Sequence, residues 1–384
     1  MNLVDQVLVS AYGGSGYNFK HHAVIYHPLS GKLVVLFTQA FSSSVYKLYA
    51  AVVDGNVVGA ITTSEILFKG TDLQNCCCLN GDNIIVFCPN SSAAEQIFVV
   101  VEVSGMTVTL TSTTAASVTA TYGYDPSLVP LGSDKFALTV YPSTFICQEN
   151  GDGTVTVGAA VAFPSTYPRG VYNDGYLLYV YPWYTVPDGY QLRYIIGTVS
   201  GMSVIFGSPV VIASNRFSDY GVALCEASAD NYVLFADNLT TTTPMLYKIS
   251  FSGGVAAVGD SADSGLTGDG FITSVSLSYT GGIIAVLAYD SSLSPRRLVL
   301  STYDYTTLTL IEAFIIATTS VANSNLSTTG QYGITYNPDS LGFTSVYLFD
   351  PGVVGGDFFN LYVRDLATIS AFWINFNGQS EILV

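Results

Sequence analysis

Charged side chains are scarce in this sequence, and cationic ones are the scarcest. Asp, Glu, Lys and Arg make up 10% of the 384 residues, and 12 Lys and Arg stand against 28 Asp and Glu, which gives a formal net charge of −16 at pH 7. Phosphate backbones are bound by clustered cations, and the only adjacent pair is Arg296–Arg297. The composition therefore predicts no nucleic-acid partner and a surface that repels anionic polymers and membranes.

Targeting and membrane-spanning segments are also lacking. The N-terminus has no basic region, and Asp5 interrupts what would be the apolar part of a secretory signal. No window is apolar over the length that a bilayer-spanning helix needs. We therefore expect neither secretion nor insertion into a membrane.

Histidine is limited to His21, His22 and His27, all on one predicted strand. At about 3.3 Å per residue, His21 and His27 share a face but lie about 20 Å apart, and His22 faces the other way. The stretch Gly13–Gly16 does not fit the pattern of a nucleophile elbow, and no metal-ligand spacing or phosphate-binding glycine loop is found. The sequence predicts no catalytic residue, no metal and no cofactor.

The cysteines do not have the spacing of a disulfide framework. Three of them are consecutive, so neighbours on a strand would point to opposite faces. We expect all six to be reduced, small residues of the core. They are Cys76, Cys77, Cys78, Cys88, Cys147 and Cys225.

Short apolar runs separated by turn residues are abundant. The stretch from Val171 to Ser214 contains four such runs, rich in Tyr, Val and Ile, with turn residues at Asn173–Gly175 and Ser200–Gly201. Runs of this kind indicate β-strands joined by hairpins, here a four-stranded antiparallel meander. One such sheet cannot bury both faces alone, so repeated copies predict a ring or stack of sheets.

The same four-strand unit recurs seven times, at a spacing of about 50 residues that is typical of propeller blades. The second strands align best, as LVVLF, IIVFC, FALTV, YLLYV, YVLFA, IIAVL and TSVYL. Their near-continuous apolar character indicates strands with both faces covered. The predicted fold class is therefore all-β, a seven-bladed β-propeller of four-stranded antiparallel blades; a pair of β-sandwich domains is the alternative.

The ends of the chain offer two candidates for closing the ring. The N-terminal DQVLVSA at Asp5–Ala11 and the C-terminal SEILV both resemble the end of the first copy's fourth strand. We expect residues 1–17 to form an N-terminal strand and connection that is a candidate for closing the ring. Residues 18–384 are expected to form a single propeller domain.

Aromatic side chains supply the one candidate contact patch. Tyr181, Trp183 and Tyr184 crowd the second strand of the fourth copy and the loop after it, and exposed Tyr and Trp are favoured where a sugar or a protein is bound. Packing between blades is the alternative explanation for these residues.

Carboxylates are frequent in the predicted turns between first and second strands. The backbone geometry of such turns favours Asp, and this explains these residues better than a role as paired acids in glycoside hydrolysis does. These are Asp82, Asp134, Asp174, Asp230 and Asp339. The loop Asp260–Asp269 clusters three carboxylates with glycines, as a Ca²⁺ loop does, but it lacks the bidentate Glu of an EF-hand, and a solvated loop is the preferred interpretation.

In composition and strand character the whole chain resembles bacteriophage virion proteins that carry propellers in tails, nozzles or capsid appendages. It shares with them short Thr/Ser/Gly-rich strands, many tyrosines, few charges and no catalytic motif. The resemblance implies a non-enzymatic structural or attachment role in a virion assembled in the host cytoplasm. Other virion proteins or a host surface glycan would be its partners, and a homo-oligomer in a symmetric assembly is compatible with it. The alternative is a carbohydrate-binding or glycoside-hydrolysing propeller with its site in the central funnel.

Overall fold

The computed structural model describes most of the chain, and all regular structure in the described residues is β-strand. The described residues are 2–13, 19–42, 45–54, 57–68, 73, 76–89, 96–114, 118, 126–185, 189–214, 217–241, 243–266, 272–290, 296–319, 333–337, 342–349, 358–367, 372–376 and 379–383. The chain begins with strand β1 (Asn2–Gly13).

The first three blades follow in chain order, each an antiparallel sheet of consecutive strands. Blade 1 consists of β2 (Phe19–His27), β3 (Lys32–Ser42), β4 (Val45–Asp54), β5 (Val57–Val58) and β6 (Thr62–Phe68). Blade 2 consists of β7 (Cys77–Asn80), β8 (Asn83–Cys88), β9 (Ile97–Ser104) and β10 (Thr107–Thr114). Blade 3 consists of β11 (Ser127–Gly132), β12 (Lys135–Val140), β13 (Ser143–Glu149), β14 (Val155–Val157) and β15 (Val161–Ala162).

The next three blades repeat this arrangement. Blade 4 consists of β16 (Arg169–Asn173), β17 (Tyr176–Thr185), β18 (Gly189–Ser200), β19 (Ser203–Phe206) and β20 (Val210–Ala213). Blade 5 consists of β21 (Phe217–Ser228), β22 (Asn231–Asn238), β23 (Met245–Ser252) and β24 (Val255–Asp263). Blade 6 consists of β25 (Ile272–Thr280), β26 (Ile283–Asp290), β27 (Arg296–Asp304) and β28 (Leu310–Thr319).

The last part of the chain does not form a blade of its own. Strands β29 (Gly333–Asn337), β30 (Gly342–Phe349) and β31 (Phe358–Ala367) share a composite sheet with β1, whereas β32 (Phe372–Phe376) and β33 (Gln379–Leu383) pair only with each other. The protein is thus an all-β propeller of four-stranded antiparallel blades with six blades of consecutive strands, and the prediction of seven is wrong. The physical reason is the place of the strand expected to complete the seventh copy: β32 pairs with β33, and β1 occupies the edge of β31 instead.

The core lies between neighbouring blades, as the apolar second strands predicted. Along β3, Val34 and Leu36 pack toward blade 2, while Val35 and Phe37 belong to a separate cluster on the opposite face of the sheet. This alternation follows from the two-residue period of a strand. Both faces of the second strand are therefore buried, which explains its near-continuous apolar sequence.

Blades 1, 3 and 4 share a broken fourth strand. In each, a short strand ends just before a glycine, two more residues follow, and a second short strand pairs with the same third strand. The glycines are Gly59, Gly158 and Gly207, and each donates its N–H to a carbonyl of that third strand, at 2.8, 2.9 and 2.9 Å. The three blades therefore present the same backbone at their outer rim.

Candidate functional site

The predicted aromatic patch lies on the hairpin formed by β17 and β18. In this hairpin Tyr181 is opposite Arg193, and Trp183 is opposite Gln191. Directly opposed residues of an antiparallel pair share a face, and so do residues two apart on one strand. The register therefore places a tyrosine, a tryptophan, an amide and a guanidinium on one side of the hairpin.

The three predicted contact residues differ sharply in exposure. Tyr181 is 0% exposed and Tyr184 is 58% exposed, while Trp183 is half-buried. The rings of Tyr181 and Trp183 meet edge to face, with centroids 6.5 Å apart. Tyr181 thus supports the indole from the core side, and Trp183 and Tyr184 are the members that solvent reaches.

Arg193 completes this surface and was missed in the sequence. Its guanidinium carbon lies 5.7 Å from the centre of the Trp183 ring, within reach of a cation–π interaction. Nε and Nη2 both donate to Oε1 of Gln191, at 3.1 and 2.8 Å. We name Trp183, Gln191 and Arg193 the hairpin patch; Tyr184, the next residue after Trp183 on β17, points to the opposite face of the hairpin. Only the cross-strand register, not proximity in sequence, could have indicated the two residues on β18.

The electrostatics of the hairpin patch are set by a cation at the edge of an apolar core. Burial raises the pKa of Tyr181 to about 12, and the positive charge of Arg193 opposes this shift. Among the described residues, no carboxylate forms an ion pair with Arg193. Its remaining N–H groups, and the amide nitrogen of Gln191, are thus donors for an oxygen-rich ligand.

The turn carboxylates have the structural role that their sequence context favoured. Asp134, Asp174 and Asp230 adopt positive φ values of 62°, 48° and 66°. Asn173 donates to the Asp230 carboxylate at 2.6 Å and to the Phe251 carbonyl at 2.7 Å, which joins the turns of blades 4 and 5. Asp339 lies outside the described residues.

The other predicted candidates divide into core residues and residues beyond the description. His27 is buried, and its ring nitrogens lie 2.9 Å from Ser30 Oγ and 2.8 Å from the Asp82 carbonyl oxygen, so it joins blades 1 and 2. The side chains of His21 and His22, and part of the loop Asp260–Asp269, lie outside the described residues.

The cysteines are free, and all but Cys225 are buried, in agreement with the prediction that they are core residues. Within the described part of the chain, no group of three His, Cys, Asp or Glu side chains could hold a metal ion. The same part contains no helix of the length and apolarity that a membrane crossing requires.

A groove at the outer rim between blades 4 and 5 is a second candidate site, which the sequence did not indicate. It is an open groove of ≈ 370 Å³, and its walls come from β17, β18, the break between β19 and β20, and the turn between β23 and β24 with the start of β24. Tyr176 and Tyr194 contribute aromatic rings, and Thr198 and Ser208 contribute hydroxyls. We name this cavity the rim groove.

No family model and no curated protein matches this sequence. Its fold is nevertheless shared with solved structures. A protein of unknown function from Dyadobacter fermentans matches with a TM-score of 0.53 at 12% identity, over 95% of this chain and 98% of that one. Sqt1 from Chaetomium thermophilum, bound to the N-terminus of a ribosomal protein, matches with a TM-score of 0.52 at 11% identity, over 90% and 86%.

An ulvan lyase, a polysaccharide lyase solved with a sugar chain bound, matches with a TM-score of 0.50 at 10% identity, over 94% of this chain and 96% of that one. Identities this low establish the fold alone. The match to the ulvan lyase nevertheless corrects one prediction, that the chain is not an enzyme. That prediction depended on missing catalytic motifs, yet an enzyme has this fold at 10% identity, so missing motifs do not exclude catalysis.

Proposed function

We propose that this protein is a carbohydrate-binding propeller that holds a glycan at the hairpin patch. The observation that carries the proposal is the convergence of Trp183, Gln191 and Arg193 on one face of one hairpin. The fold comparison supports the choice of ligand class, because a propeller of this shape is used by a polysaccharide lyase.

The chemistry of the patch suits a sugar. A sugar ring has apolar C–H faces, which pack on aromatic rings, and a rim of hydroxyls, which need hydrogen-bond partners. Trp183 offers the aromatic surface. Arg193 and Gln191 offer donors that are already held in place by their mutual hydrogen bonds at 3.1 and 2.8 Å, so little side-chain entropy is lost on binding.

The experiment is a binding and cleavage assay on purified full-length protein with a panel of neutral and acidic glycans. The Trp183→Ala/Tyr184→Ala variant should lose most of its affinity, by roughly 2–4 kcal/mol if the Trp183 ring acts as an aromatic hot spot. A control variant, Ile205→Ala, removes an exposed apolar side chain on β19 of the same blade and should bind normally. Equal binding by all three proteins would contradict the proposal.

The cleavage arm of the assay measures whether the bound glycan is also processed. New reducing ends or unsaturated products would assign an enzymatic role. The virion role, the virion localisation and the partners expected from the sequence stay predictions, and the solved structures named above include no virion protein.

A further inference from the structure

Three outer-rim junctions between neighbouring blades are built on the same plan. In each, the broken fourth strand of one blade faces the tight turn between the third and fourth strands of the next. These turns are Ser104–Thr107 in blade 2, Ser200–Ser203 in blade 4 and Ser252–Val255 in blade 5, and each is closed by pairing of its first and last residues. The turn sequences are SGMT, SGMS and SGGV.

Two of these junctions are closed by methionine. A Cβ atom placed on Gly59 would lie 2.1 Å from the Met106 carbonyl oxygen, and one placed on Gly158 would lie 2.2 Å from the Met202 carbonyl oxygen. Both methionine side chains pack, partly buried, against the core between the two blades. The turn of one blade is therefore in direct contact with the glycine of the other.

The third junction is open. Blade 5 has Gly254 where blades 2 and 4 have methionine, and a Cβ atom on Gly207 would find no atom of the next blade within 4 Å. The rim groove occupies this position, with Gly207 and Gly254 both in its wall. At the closed junctions the nearest atom is a backbone carbonyl oxygen of methionine, whereas no backbone atom of Gly254 lies within 4 Å of the Cβ position of Gly207. Gly254 has a positive φ of 75°, unlike Met106 and Met202, so the turn of blade 5 follows a different backbone course and leaves the cavity open.

The lining of the rim groove indicates what it can hold. Among the described residues its walls carry no charged side chain, although the chain as a whole has a net charge of −16. Tyr176 and Tyr194 offer ring surfaces, and the Tyr194 hydroxyl is oriented by donation to the Ala256 carbonyl at 3.3 Å. Thr198 and Ser208 add hydroxyls that both donate and accept. A volume of ≈ 370 Å³ is in the lower range of small-ligand pockets, which run from about 300 to 1,000 Å³.

We infer that the rim groove is a second binding site, specific for an uncharged sugar ring. Aromatic surface beside hydroxyls favours a ring with apolar faces and hydroxyl edges, and the absence of charge from the walls disfavours a carboxylate or sulfate. The ligand class rests on the proposed glycan binding, but the site is independent of the hairpin patch. A glycan long enough to reach both the hairpin patch and the rim groove would be held at two places on blade 4.

The test titrates full-length protein with neutral disaccharides (maltose, cellobiose and lactose) at millimolar concentration, with binding followed by NMR. Gly207→Leu should fill the groove without strain, since Gly207 does not have a positive φ and its Cβ direction is open. Gly254→Met is the second filling variant; because residue 254 has a positive φ of 75° and the Tyr176 ring would lie 2.6 Å from the new Cβ atom, both the turn and the ring must shift to accommodate it. Ala159→Leu is the matched control, because Ala159 occupies in blade 3 the position of Ser208 in blade 4.

At least one disaccharide should bind wild type and Ala159→Leu equally, and both filling variants should bind at least about tenfold more weakly, as expected when the site is occupied by a side chain. The Trp183→Ala/Tyr184→Ala variant should keep this affinity. If that double variant alone loses binding, glycan binding stands and the rim site is refuted. If wild type binds no neutral disaccharide, the sugar assignment is wrong. It is also wrong if an apolar peptide binds in the rim groove and the disaccharides do not.

Discussion

The junctions of blades 1 and 2 and of blades 3 and 4 differ from that of blades 4 and 5 in one turn, where Gly254, with a positive φ of 75°, replaces a methionine. All three have a glycine whose N–H bonds to the neighbouring strand of its own blade, at 2.8–2.9 Å. Two are closed by Met106 and Met202, and the third has Gly254 and an open groove. A closed junction contributes packing between blades, whereas the open one gives up that packing and exposes tyrosines and hydroxyls.

This contrast shows how a repeated fold acquires a site. In a propeller the contacts between blades are repeated, so a change of residue and backbone conformation in one turn alters one junction while the other blades keep their arrangement. The exposed apolar side chains near the groove fit this view, since Val210 is 43% exposed and Val255 is 69% exposed. Neither would be stabilised by exposure to water, and both flank the cavity.

The largest expected effect is a clash at a closed junction. Gly158→Ala should destabilise the protein by about 1–3 kcal/mol, because the new Cβ would lie 2.2 Å from the Met202 oxygen and 2.8 Å from the Ile146 oxygen. Both are backbone atoms, which cannot move aside as a flexible side chain can. Denaturant unfolding measures the change, and Gly59→Ala should behave in the same way; wild-type stability in both would show that these junctions are not tightly closed.

Removal of a closing methionine should have a somewhat smaller effect. Met106→Ala takes a partly buried side chain from the core between blades 1 and 2. We expect a loss of about 1–2 kcal/mol, less than the roughly 2–5 kcal/mol typical of a fully buried Met. Thermal unfolding of this variant beside Met202→Ala would measure it, and no loss in either would mean that methionine does not stabilise these junctions.

Closing the open junction should have a small effect on stability. In Gly254→Met the turn must change its backbone, because residue 254 has a positive φ of 75°, whereas Met106 and Met202 do not have positive φ. The gain in packing and the cost of this change should nearly cancel, to within about 1 kcal/mol. A crystal structure of the variant should show the groove filled; a new methionine side chain directed into solvent would show that methionine at residue 254 does not close this junction.

The smallest effect is expected at the open junction's own glycine. Gly207→Ala adds a methyl group where the nearest atom is 3.6 Å away, an ordinary contact. Because alanine restricts the conformations of the unfolded chain, the substitution should leave the free energy of unfolding unchanged or raise it by up to about 1 kcal/mol. The sign is therefore opposite to that of Gly158→Ala, and equal destabilisation of the two variants would remove the distinction between open and closed junctions.

Much of the fold could be predicted from the sequence because its signal is local. The second strands, such as IIVFC at Ile84–Cys88, are apolar over their whole length, and turn residues mark their ends. The pairing of β1 with β31 could be named only as one of two candidates, because it joins the two ends of the chain and DQVLVSA and SEILV are equally suited to it. Hence the count of blades formed by consecutive strands was wrong while their internal order was correct.

The candidate sites were predictable only where one strand carries the residues. Trp183 and Tyr184 are close to Tyr181 along β17 and were found, but Arg193 enters the hairpin patch through cross-strand register. The rim groove depends on Gly254 relative to Gly207 of the preceding blade, and nothing in either turn alone marks that relation. Contacts between blades cannot be predicted from the sequence until the arrangement of the blades is known.

The most direct test of glycan binding is a crystal structure of the protein soaked with a neutral oligosaccharide that it binds in solution. We predict sugar density against Trp183 and Arg193, and a sugar ring between Tyr176 and Tyr194 in the rim groove. The junctions closed by Met106 and Met202 should remain empty. Sugar bound at neither place, or bound equally at a closed junction, would contradict the account.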